Sequence, residues 1–436
     1  MKAKILMIMG AVIVTQFVSA QQLFTIQQCV DTALANNRNV KQQAMTKQTK
    51  AIAYEQARQN LLPNLNASAN HVWNFGRTLD DNYNYTNTTS TTMTTQFDLS
   101  TGVTLFDGLK MKYNIDARKA DMLSSDADLE KIKQDITVSV SSVFLQILLN
   151  KELLQIANEQ LGLTNTKIEQ RKSLVESGKM AEGEMYELLA QASKEELTRT
   201  QAENTLQLSL LDLAQILELD HFENLDIVIP ENLMESELQL LSATSVYESA
   251  ITHRPEIKGA EYKLLSNEKN VLINKADFYP LLTLGANIST DYYYTKNSTL
   301  VNPFGQQLSD KIRSNVGFRL SIPIFNKFDV RNRVRTAQIG VESSKLNIDN
   351  AKLELKKSIQ QAYYNALAAK SRWDAAQKSE IASREAFRFA NQKFEAGKAN
   401  SYELYQAKNN LTQVLSEQAQ SKYEYVFRLK LLDLMK

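Results

Sequence analysis

Proline is almost missing from this chain of 436 residues: there are six, none between Pro63 and Pro230 and none after Pro323. Glycine is sparse as well, and between Lys110 and Ser177 only Gly162 interrupts, so that span can run as nearly continuous helix. At about 1.5 Å per residue it would reach about 100 Å, far beyond a globular helix. One cysteine, Cys29, excludes an internal disulfide. It lies nine residues past Ala20, and so is not the lipid-bearing first residue of a lipoprotein. Its counterpart in the internal repeat described below is Val246, which fits a small buried hydrophobe. The three histidines, His71, His221 and His253, are far apart and none stands in metal-ligand spacing with Cys29 or a carboxylate. With no glycine-rich phosphate loop, the sequence presents no catalytic centre, no metal site, no cofactor site and no means of using ATP.

Charge of one sign is also lacking. Lys and Arg number 50 against 49 Asp and Glu, so no basic patch argues for nucleic acid. The charges are interspersed, as on solvated helix faces. Long apolar runs are confined to the start. Lys2 and Lys4, the apolar stretch from Ile5 to Val18 and the small residues Val18-Ser19-Ala20 read as a cleaved signal peptide over 1–20. No later stretch reads as apolar enough to span a bilayer as a helix, since polar residues interrupt every run within a few positions.

What the chain does contain is itself, twice. Residues 33–73 and 250–290 align without a gap at an offset of 217. Leu61-Leu62-Pro63 falls on Phe278-Tyr279-Pro280, and Leu65, Ala67 and Ala69 fall on Leu282, Leu284 and Ala286. Further along the offset becomes 219, with Leu105-Phe106 on Ile324-Phe325, Glu176-x-Gly178-Lys179 on Glu395-x-Gly397-Lys398, and Glu184-Met185-Tyr186 on Glu403-Leu404-Tyr405. A period this long is a duplicated half-protein, not a solenoid unit. Each copy reads as short helix, strand, loop, strand and very long helical hairpin. The expected division is a first repeat over 21–220, an inter-repeat segment over 221–245 and a second repeat over 246–436, with hairpin turns near 178 and 397. Ile136, Val140, Val143, Ile147, Leu154, Ala157 and Leu161 keep a coiled-coil alternation, with Asn150 in one slot.

Strands are expected over about 64–75, 94–106, 281–295 and 312–325. Leu65, Ala67, Ala69, His71, Trp73 and Phe75 share one face against Asn66, Ser68, Asn70 and Asn74. Val316, Phe318, Leu320 and Ile322 oppose Asn315, Arg319 and Ser321. Such alternation fits a membrane barrel with a wet lumen; a soluble amphipathic sheet packed on a helix fits it too. The signal sequence and the lack of another candidate core favour the membrane. The polar stretches 80–95 and 296–311 read as exposed connections at one rim. Four strands cannot close a barrel, since the smallest bacterial ones use about eight, and lipid does not tolerate open edges. A barrel must therefore be shared between subunits, two giving eight strands and three giving twelve. Pro63 and Pro280 stand at the two helix-to-strand junctions, where the chain changes direction.

The signal sequence, the repeated helix–Pro–strand unit and the Gly178-Lys179 and Gly397-Lys398 turns together resemble the TolC-type outer-membrane efflux proteins over essentially the whole mature chain. The resemblance implies mixed α and transmembrane β structure: a homotrimer with a twelve-stranded β-barrel in the outer membrane and a long periplasmic α-helical barrel, belted by the inter-repeat segment. It implies a passive exit duct for drug or toxin efflux or type I protein secretion, without enzymatic activity, that works with a periplasmic membrane-fusion adaptor and an inner-membrane transporter. By position in the motif, Glu403, Glu184 and Glu187 become candidates for the periplasmic pore constriction. Gly178, Lys179, Gly397 and Lys398 become candidate adaptor-contacting tips. The second copy departs from the family pattern, with Gln406 where Glu187 has its counterpart and Ala399 where a basic residue locks the closed state. The alternatives are a stand-alone outer-membrane porin and a periplasmic coiled-coil scaffold.

Overall fold

The structure, a computed structural model, describes residues 22–77, 90–177, 181–219, 225–230, 241–295 and 302–436. The expected signal peptide, most of the inter-repeat segment and the turn residues Gly178 and Lys179 lie outside these. In chain order the elements are β1 (Gln22–Phe24), α1 (Ile26–Asn36), α2 (Arg38–Gln59), β2 (Asn64–Gly76), β3 (Ser90–Phe106), α3 (Lys110–Glu176) and α4 (Glu182–Leu217). There follow β4 (Leu225–Ile227), α5 (Ala243–His253), α6 (Pro255–Ala276), β5 (Leu281–Thr295), α7 (Phe304–Asp310), β6 (Arg313–Ser321), α8 (Asp329–Glu395) and α9 (Ser401–Leu434). The chain divides into two compact units, and α3 and α8 contribute residues to both.

The first unit holds Lys131–Thr252 and Leu355–Lys436 together with the N-terminal residues up to Lys41. Thr25 opens α1 with a capping box, its side chain accepting from Gln28 N while Gln28 Oε1 accepts from Thr25 N. β1 pairs in parallel with β4, Phe24 opposite Ile227. Cys29, Val140, Phe144, Ile147, Leu148, Leu213 and Leu217 form the core, Cys29 fully buried within it. This corrects one expectation. The α3 helix does carry a stretch long and apolar enough, by composition, to cross a membrane. The apolar residues Val140, Phe144, Ile147 and Leu148 are consumed by the core rather than exposed. Asn150, in the coiled-coil slot, is buried and accepts a hydrogen bond from Gln146 at 3.1 Å.

The second unit holds Gln42–Glu130 and His253–Glu354. Its four-stranded antiparallel sheet has the order β2-β3-β5-β6, leaving β2 and β6 as edges. The apolar face is open: Phe75, Val316 and Phe318 are each more than 70 % exposed. β6 stops at Ser321, short of the expected 325: its partner β5 begins opposite it at Leu281, and Pro323 has no N–H with which to prolong a ladder. At the other end β6 begins only at Arg313, so β5 from Thr290 onward has no strand on that side. Helix α7 takes the place, within a stretch the sequence presents as loop. The Gln307 side-chain amide accepts from Tyr293 N and donates to Tyr293 O, both at 3.1 Å, which reproduces a ladder rung. Polar composition had hidden a helix whose purpose is to satisfy an edge.

Pro63 and Pro280 stand just before β2 and β5, where a helix has ended and the first strand residue follows. Beside Pro280, Gly108 has φ +69°, and a Cβ there would lie 2.9 Å from Tyr279 Cβ and from Ala276 O, so no side chain fits. Lys110 Nζ and Arg333 Nη1 each reach Asp277 at 2.6 Å. Burial pushes the Asp277 carboxyl up, but these two hydrogen-bonded cations more than offset it and hold it below its ordinary value.

Candidate functional site

The candidate constriction lies in the first unit, at the hairpin ends of α3–α4 and α8–α9. The second turn is built by local rules. Gly397 has φ +68°, Lys398 N donates to Lys393 O at 2.8 Å and Gly397 N to Phe394 O at 3.1 Å. That is a Schellman motif, with glycine at the left-handed position that closes α8. Asn400 then caps α9, its side chain accepting from Glu403 N at 2.9 Å. Glu403 is thus held in the first turn, where its charge complements the helix dipole, and its side chain is exposed. In the first copy Glu182 and Glu184 occupy the first turn of α4, with Glu184 half-buried.

The structure brings Glu187 to the other copy. It accepts a hydrogen bond from Ser401 Oγ at the start of α9, where the helix N-terminus favours an anion. Glu187 and Gln406 line the same groove of about 530 Å³ between α4 and α9, with Gln191, Lys194, Tyr402, Tyr405 and Asn409. Gly397 and Lys398 form the described turn. Pro63 and Pro280 belong to the other unit and take no part.

Sequence reasoning missed the polar network just beyond this groove. Lys408 is buried, and its ammonium donates to Gln160 O and Glu195 Oε1, each at 2.8 Å, and to Thr164 Oγ1. Thr164 donates to Glu195 Oε2 at 2.6 Å, and Gln191 Nε2 reaches Glu195 Oε1 at 2.7 Å and Asn409 at 3.2 Å. The pair ties α9 to α3 and α4. Burial pushes the Lys408 ammonium below its ordinary value, which the Glu195 carboxylate opposes. Burial, then the charges of Glu195 and Glu187, push the Tyr405 hydroxyl up to about 12. A signal existed: Leu404, Lys408 and Leu411 fall on one helical stripe, and a lysine there must be paired. A further tie joins α3 to α8, with Lys167 Nζ donating to Asn391 at 2.6 Å and Arg171 stacked over Phe394 at 4.4 Å.

The arrangement positions acids and locks helices. Among the described residues no group of three His, Cys, Asp or Glu could hold a metal ion.

Known proteins agree with this architecture. The chain matches the family described as "Outer membrane efflux protein" over residues 29–218 and again over 246–434, one match for each copy. It is 25 % identical to toxin and drug export protein A of Aggregatibacter actinomycetemcomitans over 53 % of this chain and 46 % of that protein. It is 22 % identical to the alkaline protease secretion protein AprF of Pseudomonas aeruginosa over 70 % of this chain and 62 % of that one. The aligned part thus spans about half to three-fifths of these relatives. The Campylobacter jejuni CmeC outer membrane channel has the same fold, with a TM-score of 0.78 at 18 % identity over 94 % of this chain and 84 % of that one. Two matched repeats, an antiparallel sheet with a bare apolar face and paired long helical hairpins make one case: the chain belongs to the outer membrane efflux protein family.

Proposed function

We propose that this protein is a trimeric exit duct, which passively conducts substrates delivered by an inner-membrane transporter through a periplasmic adaptor. One observation carries the reading: a four-stranded sheet with an exposed apolar face and two unpaired edges. Lipid accepts such a face but not such edges. Three copies supply the twelve strands of a closed barrel, and the hairpins supply a conduit in water. The export and secretion roles carried in the names of the relatives support drug or toxin efflux and protein secretion as the substrate classes. A stand-alone porin has no use for hairpins of this length. Residues 1–20 are the export signal, and the repeats divide near 220 and 246.

At the periplasmic end, Glu403, Glu184 and Glu187 ring the constriction. Gly178 and Lys179, together with the turn at Gly397-Lys398, meet the adaptor. Light scattering of the detergent-solubilised protein tests the assembly, with a trimer expected; a stable monomer would sink the shared barrel. In intact cells a photo-cross-linker at Lys398 should capture the adaptor, and one at Thr89 should not.

A further inference from the structure

The two sheet edges are bare: every residue of β6 is exposed, as is every residue of β2 but Gly76. The internal repeat dictates how they meet in the proposed trimer, on which this inference rests. β2 corresponds to β5 at the offset of 217, and β3 to β6 at 219. The ladders obey these offsets. Displacing the pair Asn64↔Gly102 gives Leu281↔Ser321, and displacing Val72↔Thr94 gives Ser289↔Arg313, both observed pairs of β5 and β6. The two hairpins therefore share one register. The remaining ladder, β3 with β5, is the junction from the first copy to the second. Its counterpart is the junction from the second copy of one chain to the first copy of the next.

We propose that β6 pairs antiparallel with β2 of a second copy in the register of the β3·β5 ladder. Phe97↔Thr290 then becomes Val316 opposite the partner's Trp73, and Leu99↔Ile288 becomes Phe318 opposite the partner's His71. Thr101↔Ala286 becomes Leu320 opposite the partner's Ala69, and the ladder runs from Arg313 against the partner's Gly76 to Ser321 against the partner's Ser68. The chemistry of the faces agrees. Val316, Phe318 and Leu320 meet apolar-face residues, while Arg319 meets the partner's Asn70 on the polar face. A slip of one residue would turn every side chain to the wrong medium, so competing registers differ by two. Pro323 takes the position of Thr104, beside the register shift that interrupts the β3·β5 ladder between Thr104 and Phe106. The seam ladder accordingly ends there, where the backbone has no N–H.

Paired cysteines read the register directly. One cysteine replaces Val316, and a second in the same chain replaces Ala69, His71 or Trp73 in turn. Outer membranes are oxidised and run on a non-reducing gel. Residues directly opposite have Cα atoms about 4.5–5.5 Å apart, whereas positions displaced by two lie about 7–8 Å away, beyond disulfide reach. Because neighbouring pairs alternate between the two direct separations, the series is repeated from Asn315 against Asn70, Val72 or Asn74. Cys29 is buried, which pushes its thiol up to about 11, and it does not compete. The expected result is covalent dimers and trimers from Val316 with Trp73 or from Asn315 with Asn74, and monomers from the rest. Bridging at His71 or Ala69, or at Val72 or Asn70, would overturn the register and leave the trimer standing. A trimer by light scattering in which no pair bridges would likewise overturn the proposed register, and a monomer in every measurement would remove the trimer with it.

Discussion

Lys408 and Glu195 meet at 2.8 Å with side chains only 4 % and 11 % exposed, and they bind a helix of the second copy to one of the first. The internal repeat does not reproduce this pair: at the offset of 219 the counterpart of Glu195 is Val414, and that of Lys408 is Leu189. The duplication was therefore broken at this point.

Breaking the pair from one side should be costly. Lys408→Met leaves Glu195 buried without its cation, and Glu195→Leu leaves the ammonium uncompensated. Each should destabilise by about 3–5 kcal/mol, whereas the double variant Lys408→Met with Glu195→Leu should return to near the parent. Urea unfolding of the solubilised protein, followed by circular dichroism, gives the comparison. Equal losses in the single and double variants would mean that packing matters here and the charges do not.

The Asp277 junction should respond to acid. Its carboxyl sits below the ordinary value in the folded chain, so its charge favours folding, and that contribution is complete above the unfolded value. As pH falls below about 4, the usual aspartate range, the unfolded chain takes up the proton first and the contribution is lost. Asp277→Asn should remove this part of the pH dependence and lower stability at neutral pH. Unfolding measured from neutral pH down to about pH 3, through the usual aspartate range, decides it; parallel curves for parent and variant would exclude Asp277 as the cause.

The proposed ring of Glu403 side chains should select ions. Three copies of Glu403 brought towards one axis would attract cations into a narrow mouth. In planar bilayers Glu403→Gln should weaken cation preference and Glu403→Lys should shift it towards anions. Gln413→Lys, further along α9, should change little. Unaltered selectivity in Glu403→Lys would return Glu403 to the status of a solvated helix residue.

Much of the fold was legible because it is written in periods. Two-residue alternation marked the strands, the near absence of proline and glycine marked the long helices, and Gly397 marked a turn. What escaped notice was written in spatial neighbours. Helix α7 exists because β5 outruns β6 and Gln307 can replace a rung, which no local pattern reports. The apolar window of α3 has the composition of a membrane span, and only its packing against α4 and α1 tells the two apart. Of the candidate constriction, the positions of Glu184 and Glu403 followed from the turn motifs. The contact of Glu187 with Ser401 did not, because it joins helices more than two hundred residues apart in the chain.

The sequence alone determined the duplication, the sequence of long strands and long helices shared by the two copies, and the apolar face of the long strands. These depend on local backbone preference and on the alternation of side chains, both of which are properties of consecutive residues. Tertiary structure alone decided which lysine is buried, which carboxylate accompanies it, and where each ladder stops. Those outcomes depend on desolvation and on backbone groups finding partners, and both are set by residues that the chain brings together only after it has folded.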